Sequence, residues 1–307
     1  MLNRVSIMKV YYHGDRQRGP YFEGWYFKLQ TAEGRSLALI PALHMDVRGR
    51  RTASLQVIAD RGTWWLEYPA GALHVRKSLF QIRLDHNLFN SRGLWLNLEE
   101  AGLSLRGTVA FGPFTPLKSD IMGPFRFLPG MECAHGVISM GHSLEGALTL
   151  NGERLDFTGG TGYVETDRGR SFPSAYLWAQ CGWQEGDGRT SLMLSVASIP
   201  LAALRFTGCI CAIFHRGKEY RLATYRGARA ERWSEAGAVI RQENFCLVVE
   251  RLSGQGQPLR APVRGDMSRT IRECLSGAVR CRFWQGERLL FDRIDPWGSF
   301  EYAAGFS

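Results

Sequence analysis

The chain has 307 residues, with 38 Lys and Arg against 29 Asp and Glu, and a formal charge of +9. Hydrophobic residues at 45% and charged residues at 22% exclude disorder as the main state, because enough apolar surface is present to offset the entropy lost on ordering. At roughly 100 to 200 residues per domain the length accommodates two domains or one large β body, and 35 glycines favour many tight turns over long helices.

Taken in chain order, residues 1–10 lack the apolar core and small-residue cleavage site of a secretory signal, so no export is expected. Short alternating or apolar runs closed by Gly-containing turns then recur at residues 25–30, 37–43, 55–60, 64–68, 79–85 and 103–110. This is the pattern of an all-β protein. Residues 111–136 differ. Pro113, Pro116, Pro124 and Pro129 with four glycines break any ladder and predict a long ordered loop or an interdomain connection. The division is therefore placed there, giving an N-terminal β domain over 1–135, which includes the loop, and a C-terminal β domain over 136–307. Further strands are expected at 148–150, 155–157, 176–183, 191–197, 206–214, 220–225, 245–252, 279–285 and 289–293. Residues 268–275 are the clearest helical candidate. Residues 191–214 are interrupted by Pro200 and Arg205 and read as buried strands, not as a membrane span.

Seven scattered cysteines suit a reducing, cytoplasmic setting better than a disulfide framework. Lys and Arg form no dense run, so the basic charge reads as a solvated surface and no nucleic-acid partner is expected. Phosphate-binding loops, dinucleotide turns, paired-His zinc helices and Gly-x-Ser-x-Gly elbows are all absent. Cys209-x-Cys211 lies in an apolar run without a second Cys/His pair and reads as packing, so no metal is expected.

Three clusters stand out. In Tyr21-Phe22-Glu23-Gly24-Trp25-Tyr26-Phe27-Lys28 one acid sits among five aromatics, where desolvation would make Glu23 hold its proton; pairing with a basic neighbour is the structural alternative. Residues 123–136 form an aromatic loop ending in Glu132 and His135, which would either handle a proton or fasten the loop. In the run 159–173, an extended backbone points Tyr163, Glu165 and Asp167 to one face, so two carboxyls converge unless Arg168 or Arg170 neutralises them. Tyr176, Trp178 and Gln180 follow.

The strings Phe22-Glu23-Gly24-Trp25-Tyr26-Phe27-Lys28, Gly123-Pro124-Phe125-Arg126-Phe127-Leu128-Pro129 with Met131-Glu132-Cys133 and His135-Gly136-Val137, and Gly162-Tyr163-Val164-Glu165 with Gly169-Arg170-Ser171-Phe172-Pro173 resemble the tocopherol cyclase family. The resemblance continues through Met267 to Leu275 and on to Gly305. It implies two packed lipocalin-like antiparallel β-barrels and a cofactor-independent enzyme, an isomerase or intramolecular lyase, that cyclises a prenylated phenol or related isoprenoid by protonating an alkene. One departure is Arg168, where family members typically carry Trp; a guanidinium facing the pocket would repel a cation. On this resemblance and on side-chain chemistry, Glu165 or Asp167 is expected as proton donor, Glu132 and His135 as positioning or deprotonating groups, and Glu23 as competing donor. Trp25, Tyr26, Tyr163, Phe172, Trp178 and Gln180 are the expected substrate-binding residues. A non-catalytic carrier of a hydrophobic isoprenoid is the alternative, since an aromatic-lined β pocket suits either task. Peripheral contact with an anionic membrane is a further expectation.

Overall fold

The computed structural model describes residues 11–60, 62–100, 102–128, 131–186, 188–201 and 204–304. The expectation of no export signal concerns residues outside this range. Among the described residues there is no α-helix, only four short 3-10 turns. Among these residues no helix is long and apolar enough to cross a membrane.

Twelve strands form one sheet: β1 (Tyr21–Gln30), β2 (Ser36–Met45), β3 (Arg51–Ala59), β4 (Gly62–Pro69), β5 (Leu73–Val75), β6 (Gln81–Leu84), β7 (Asn87–Asn90), β8 (Gly93–Glu100), β9 (Leu103–Phe111), β10 (Cys133–Leu150), β11 (Glu153–Asp156) and β12 (Thr161–Gly169). Ten form a second: β13 (Tyr176–Glu185), β14 (Gly188–Leu201), β15 (Leu204–His215), β16 (Lys218–Ala223), β17 (Arg229–Ser234), β18 (Gly237–Gln242), β19 (Phe245–Arg251), β20 (Gln257–Val263), β21 (Asp266–Gln285) and β22 (Arg288–Ala303). The first runs in the order β4-β3-β2-β1-β12-β10-β9-β8-β7-β6-β5, with β11 on β10; the second runs β16-β15-β14-β13-β22-β21-β19-β18-β17, with β20 on β21. The all-β expectation holds, with two large antiparallel sheets. Side chains from both ends of each path enter one cluster, as Leu66 of β4 and Leu73 of β5 do in the first sheet, so each sheet curls on itself. Among the described residues no ladder joins β4 to β5 or β16 to β17.

Period-two alternation builds three apolar clusters from these strands. On β1, Trp25, Phe27 and Leu29 enter the cluster inside the first sheet. Tyr26 faces the other way, into a cluster shared with Tyr163, Trp178, Met193 and Leu275 between the sheets. Leu177, Leu194, Val249 and Phe283 fill the interior of the second sheet. Burying each such large side chain contributes roughly 1.5–3 kcal/mol, so β1 is held from both faces.

The expected helix over 268–275 is instead part of β21. Leu259 of β20 pairs with Ile271, and Phe300 of β22 pairs with Cys274; two flanking ladders satisfy the backbone and override the local pattern. Strands β14 and β15 place most of 191–214 in the buried ladder expected of it. Cys209 and Cys211 both pack in the second sheet's core. After β9, residues 112–128 pack against the second sheet: Arg221 donates to the carbonyls of Ser119 and Asp120, and the Tyr225 hydroxyl to that of Ile121. β10, which follows them, still belongs to the first sheet. The chain changes sheets at residues 170–175.

Candidate active site between the sheets

The main cavity lies between the two sheets, in neither interior, and measures ≈ 1350 Å³ with its open mouth. Strand register assembles one wall. β12 is flanked by β1 and β10, so Glu165 stands opposite Tyr26 and Val137, and Asp167 opposite Gly24 and His135. The period of two then aims Glu165 and Asp167 into the same space, as the sequence indicated.

His135 lies between these two acids. Its Nδ1 is 2.9 Å from Asp167 Oδ1 and its Nε2 is 3.3 Å from Glu165 Oε2. Burial opposes a charge on this imidazole, but the two carboxylates outweigh it and hold the pKa well above the ordinary value. Glu165 Oε2 also accepts from the Tyr163 hydroxyl at 2.6 Å and from Trp178 Nε1 at 3.2 Å. The Cys133 thiol donates to Asp167 Oδ1 at 3.6 Å. The ligand atoms of His135, Glu165 and Asp167 lie within 4.8 Å of one another, a spacing that suits a metal ion as well as the imidazolium.

The second sheet supplies two acids that sequence reasoning missed. Glu273 of β21 and Glu301 of β22 are register partners, 1% and 7% exposed. The Tyr26 hydroxyl donates to Glu273 and the Tyr176 hydroxyl to Glu301. Burial raises Glu273 to about 7 against the opposing hydrogen bond from Tyr26, with the Glu165 charge adding to the rise. Burial and the neighbouring Glu273 push Glu301 well above the carboxylate range. The signal for Glu273 was present: in an extended reading Ile271, Glu273 and Leu275 share one face, an acid between two aliphatics. The helical reading of 268–275 concealed it.

Aromatic rings complete the enclosure. Trp178 packs edge-on against Tyr26 at 5.6 Å, and Phe172 contacts Phe22 at 5.4 Å and Tyr176 at 5.9 Å. At the far end of β2, His44 lines the cavity with Nε2 2.7 Å from Ser54 Oγ, its pKa lowered by burial to about 4.

Of the sequence-derived residues, Glu132, His135, Glu165, Asp167, Tyr26, Phe172 and Trp178 line this cavity. Tyr163 stands behind Glu165 and holds it. Gln180 faces a separate, smaller cavity, where it accepts from Lys28. Trp25 is fully buried in the first sheet's core, so it cannot bind substrate here. Glu23 shares that face of β1 and accepts from the Tyr21 hydroxyl and the His13 backbone, with His13 Nδ1 2.8 Å away; the structural alternative describes it. Arg168 is the register partner of Glu23, on the opposite face of β12 from Asp167, so its guanidinium does not line the cavity and the expected repulsion of a cation does not arise.

A family model described as tocopherol cyclase-like matches residues 102–302. A protein of Oryza sativa subsp. japonica described as a probable chloroplastic tocopherol cyclase is 23% identical over 193 residues, which is 59% of this chain and 40% of that protein. The chain thus spans less than half the length of this curated relative. Among solved structures, kievitone hydratase from Nectria haematococca has a TM-score of 0.51 at 10% identity, covering 97% of this chain and 94% of that one. The CghA structure has a TM-score of 0.54 at 9% identity, covering 93% and 88%. Such low identities establish a shared fold, while the family model covers most of the chain with its sequence pattern. Together with the convergence of the family-like strings on one cavity, the match assigns the chain to the tocopherol cyclase-like family.

Proposed function

We propose that the protein is an enzyme that protonates an alkene of a prenylated phenol or quinol, or of a related isoprenoid, and lets the phenolic oxygen capture the cation to close a ring. The observation that carries this reading is a buried acid, Glu273, holding its proton to about pH 7 inside an aromatic-lined cavity. Alkene protonation needs a poorly solvated acid, and ring faces stabilise the positive charge that follows. Glu273 gives its proton to the less substituted alkene carbon, the π pair forms the new C–H bond, and a tertiary cation results. A phenolic lone pair forms the C–O bond, and the phenolic proton passes to the Glu165–His135–Asp167 group. One proton is given and one taken, so the product is an isomer of the substrate and no cofactor enters the balance; return of that proton to Glu273 restores the starting enzyme.

In this reading the donor role expected of Glu165 or Asp167 is given to Glu273, because both of those acids are paired with the His135 imidazole while burial makes Glu273 hold its proton. We read each curled sheet as a lipocalin-like barrel, with the reaction held at their junction. Exposed Phe127 and Leu128, with Arg126, follow directly on Phe125 at the cavity wall. That placement supports peripheral docking of the protein on an anionic membrane where such substrates dissolve; the cytoplasmic setting is part of the proposal and rests on the scattered cysteines alone.

Incubation with a prenylated benzoquinol and mass analysis tests the proposal. A product of unchanged mass that has lost an alkene is expected, with Glu273→Gln lowering kcat by about 10²–10⁴-fold. Addition of water would instead identify a hydratase, the activity named for the Nectria relative. Stoichiometric binding without any product would establish a carrier and end the enzymatic reading.

A further inference from the structure

A second, smaller cavity lies on the same inter-sheet face, with Tyr163 in its wall and Lys28, Gln180, Arg189 and Asp295 around it. We infer that it binds a single small anion of chloride size between the Lys28 ammonium and the Arg189 guanidinium.

Lys28 is 4% exposed, and its Nζ donates to two neutral acceptors, Gln180 Oε1 and the Trp297 carbonyl, each at 3.1 Å. An ammonium carries three N–H bonds, so one donor is left over. Arg189 gives Nη1 to Thr161 Oγ1 at 2.6 Å, while its buried Nε has no partner. The guanidinium is seated against Gly182, where a Cβ would come within 2.7 Å of Nη2.

Asp295 is the one carboxylate among the described residues lining this cavity. Both its oxygens are engaged by backbone: Oδ2 accepts from Gly182 N at 2.8 Å and Oδ1 from Trp297 N at 2.9 Å. Among the described groups lining this cavity, two cations therefore face one anion. Buried charge without a partner is penalised by several kcal/mol per ion, and both cations register it. Burial lowers the pKa of Lys28 and of Arg189 despite the opposing charge of Asp295. One further negative charge makes the count two against two and supplies an acceptor for both idle donors. The free space is small, on the order of one water-sized particle, and suits a monatomic anion better than phosphate, sulfate or an organic acid.

Tyr163, which holds Glu165, is shared with this cavity's wall, but Lys28 and Arg189 have no part in the proposed chemistry and anion binding is read without turnover, so the anion site stands or falls independently of the cyclase reading. The test uses the wild-type full chain, crystallised without chloride and soaked in bromide. Anomalous diffraction is expected to place a bromide in contact with both Lys28 Nζ and Arg189 Nε. Water density at that point under saturating bromide would overturn the proposal. In solution, Tm is expected to be higher in chloride than in gluconate at equal ionic strength, since a ligand of the native state stabilises it. Arg189→Gln should remove that difference, and equal Tm values of the wild type in the two salts would also overturn the inference.

Discussion

Glu273 and Glu23 are both 1% exposed, yet their neighbours give them different chemistry. Glu273 accepts from one tyrosine hydroxyl beside Glu301 and within reach of the Glu165 charge, and burial retains its proton to about pH 7. Glu23 is surrounded by donors from His13 and Tyr21, an arrangement that fastens the N-terminal segment to β1. The required form of Glu273 is the acid. Turnover should therefore be level below pH about 7 and fall tenfold per unit as the pH rises above it. A pH–rate profile checks this, and loss of activity on the acidic side alone would remove Glu273 as donor. Glu23→Gln should leave kcat unchanged while lowering stability by about 1–3 kcal/mol, read from urea denaturation and steady-state kinetics on the same preparation.

At the scale of elements, β12 and β21 are decisive. β12 sits between β1 and β10, so a single strand presents Glu165 and Asp167 to His135 on one side and to Tyr26 on the other. β21 brings Glu273 across from the second sheet, and its hairpin with β20 turns at Gly265. There φ is +79°, and a Cβ would come within 1.8 Å of the Met45 carbonyl oxygen and 2.6 Å of Tyr21 N in the first sheet. Gly265 N also donates to the Arg170 carbonyl at 2.7 Å. Gly265→Ala thus meets both an unfavourable φ and a backbone clash at the junction of the sheets. A loss of about 1–3 kcal/mol in stability is expected, accompanied by a raised KM because the cavity wall moves with the hairpin. A variant as stable as the wild type would show that this contact does not hold the sheets together.

Over the whole molecule, the cavity draws β1, β2, β3, β10 and β12 from one sheet and β13, β14, β15, β20, β21 and β22 from the other. A bound prenylated phenol should therefore slow backbone hydrogen exchange in strands of both sheets together. Protection confined to one sheet would place the ligand inside a single curled sheet, not between the two. The same placement explains why the aromatic string of β1 divides its labour: Tyr26 and Trp25 are neighbours in sequence, yet one faces the inter-sheet cavity and the other a buried core.

Sequence alone determined the all-β class, the buried character of β14 and β15, and the convergence of Glu165 and Asp167, because alternation of side chains along a strand is a local property. It also placed His135 and Trp178 among the candidates, through the acid and aromatic clusters they end or follow. It did not separate Glu23 and Trp25 from Tyr26, since period two says which residues share a face but not which face meets which neighbour. Nor did it locate Glu273, Glu301, Lys28 and Arg189, which lie far apart in the chain. Only tertiary packing decided those, because the proton affinity of a buried acid or base depends on the charges and donors that a second sheet brings within a few ångströms of it.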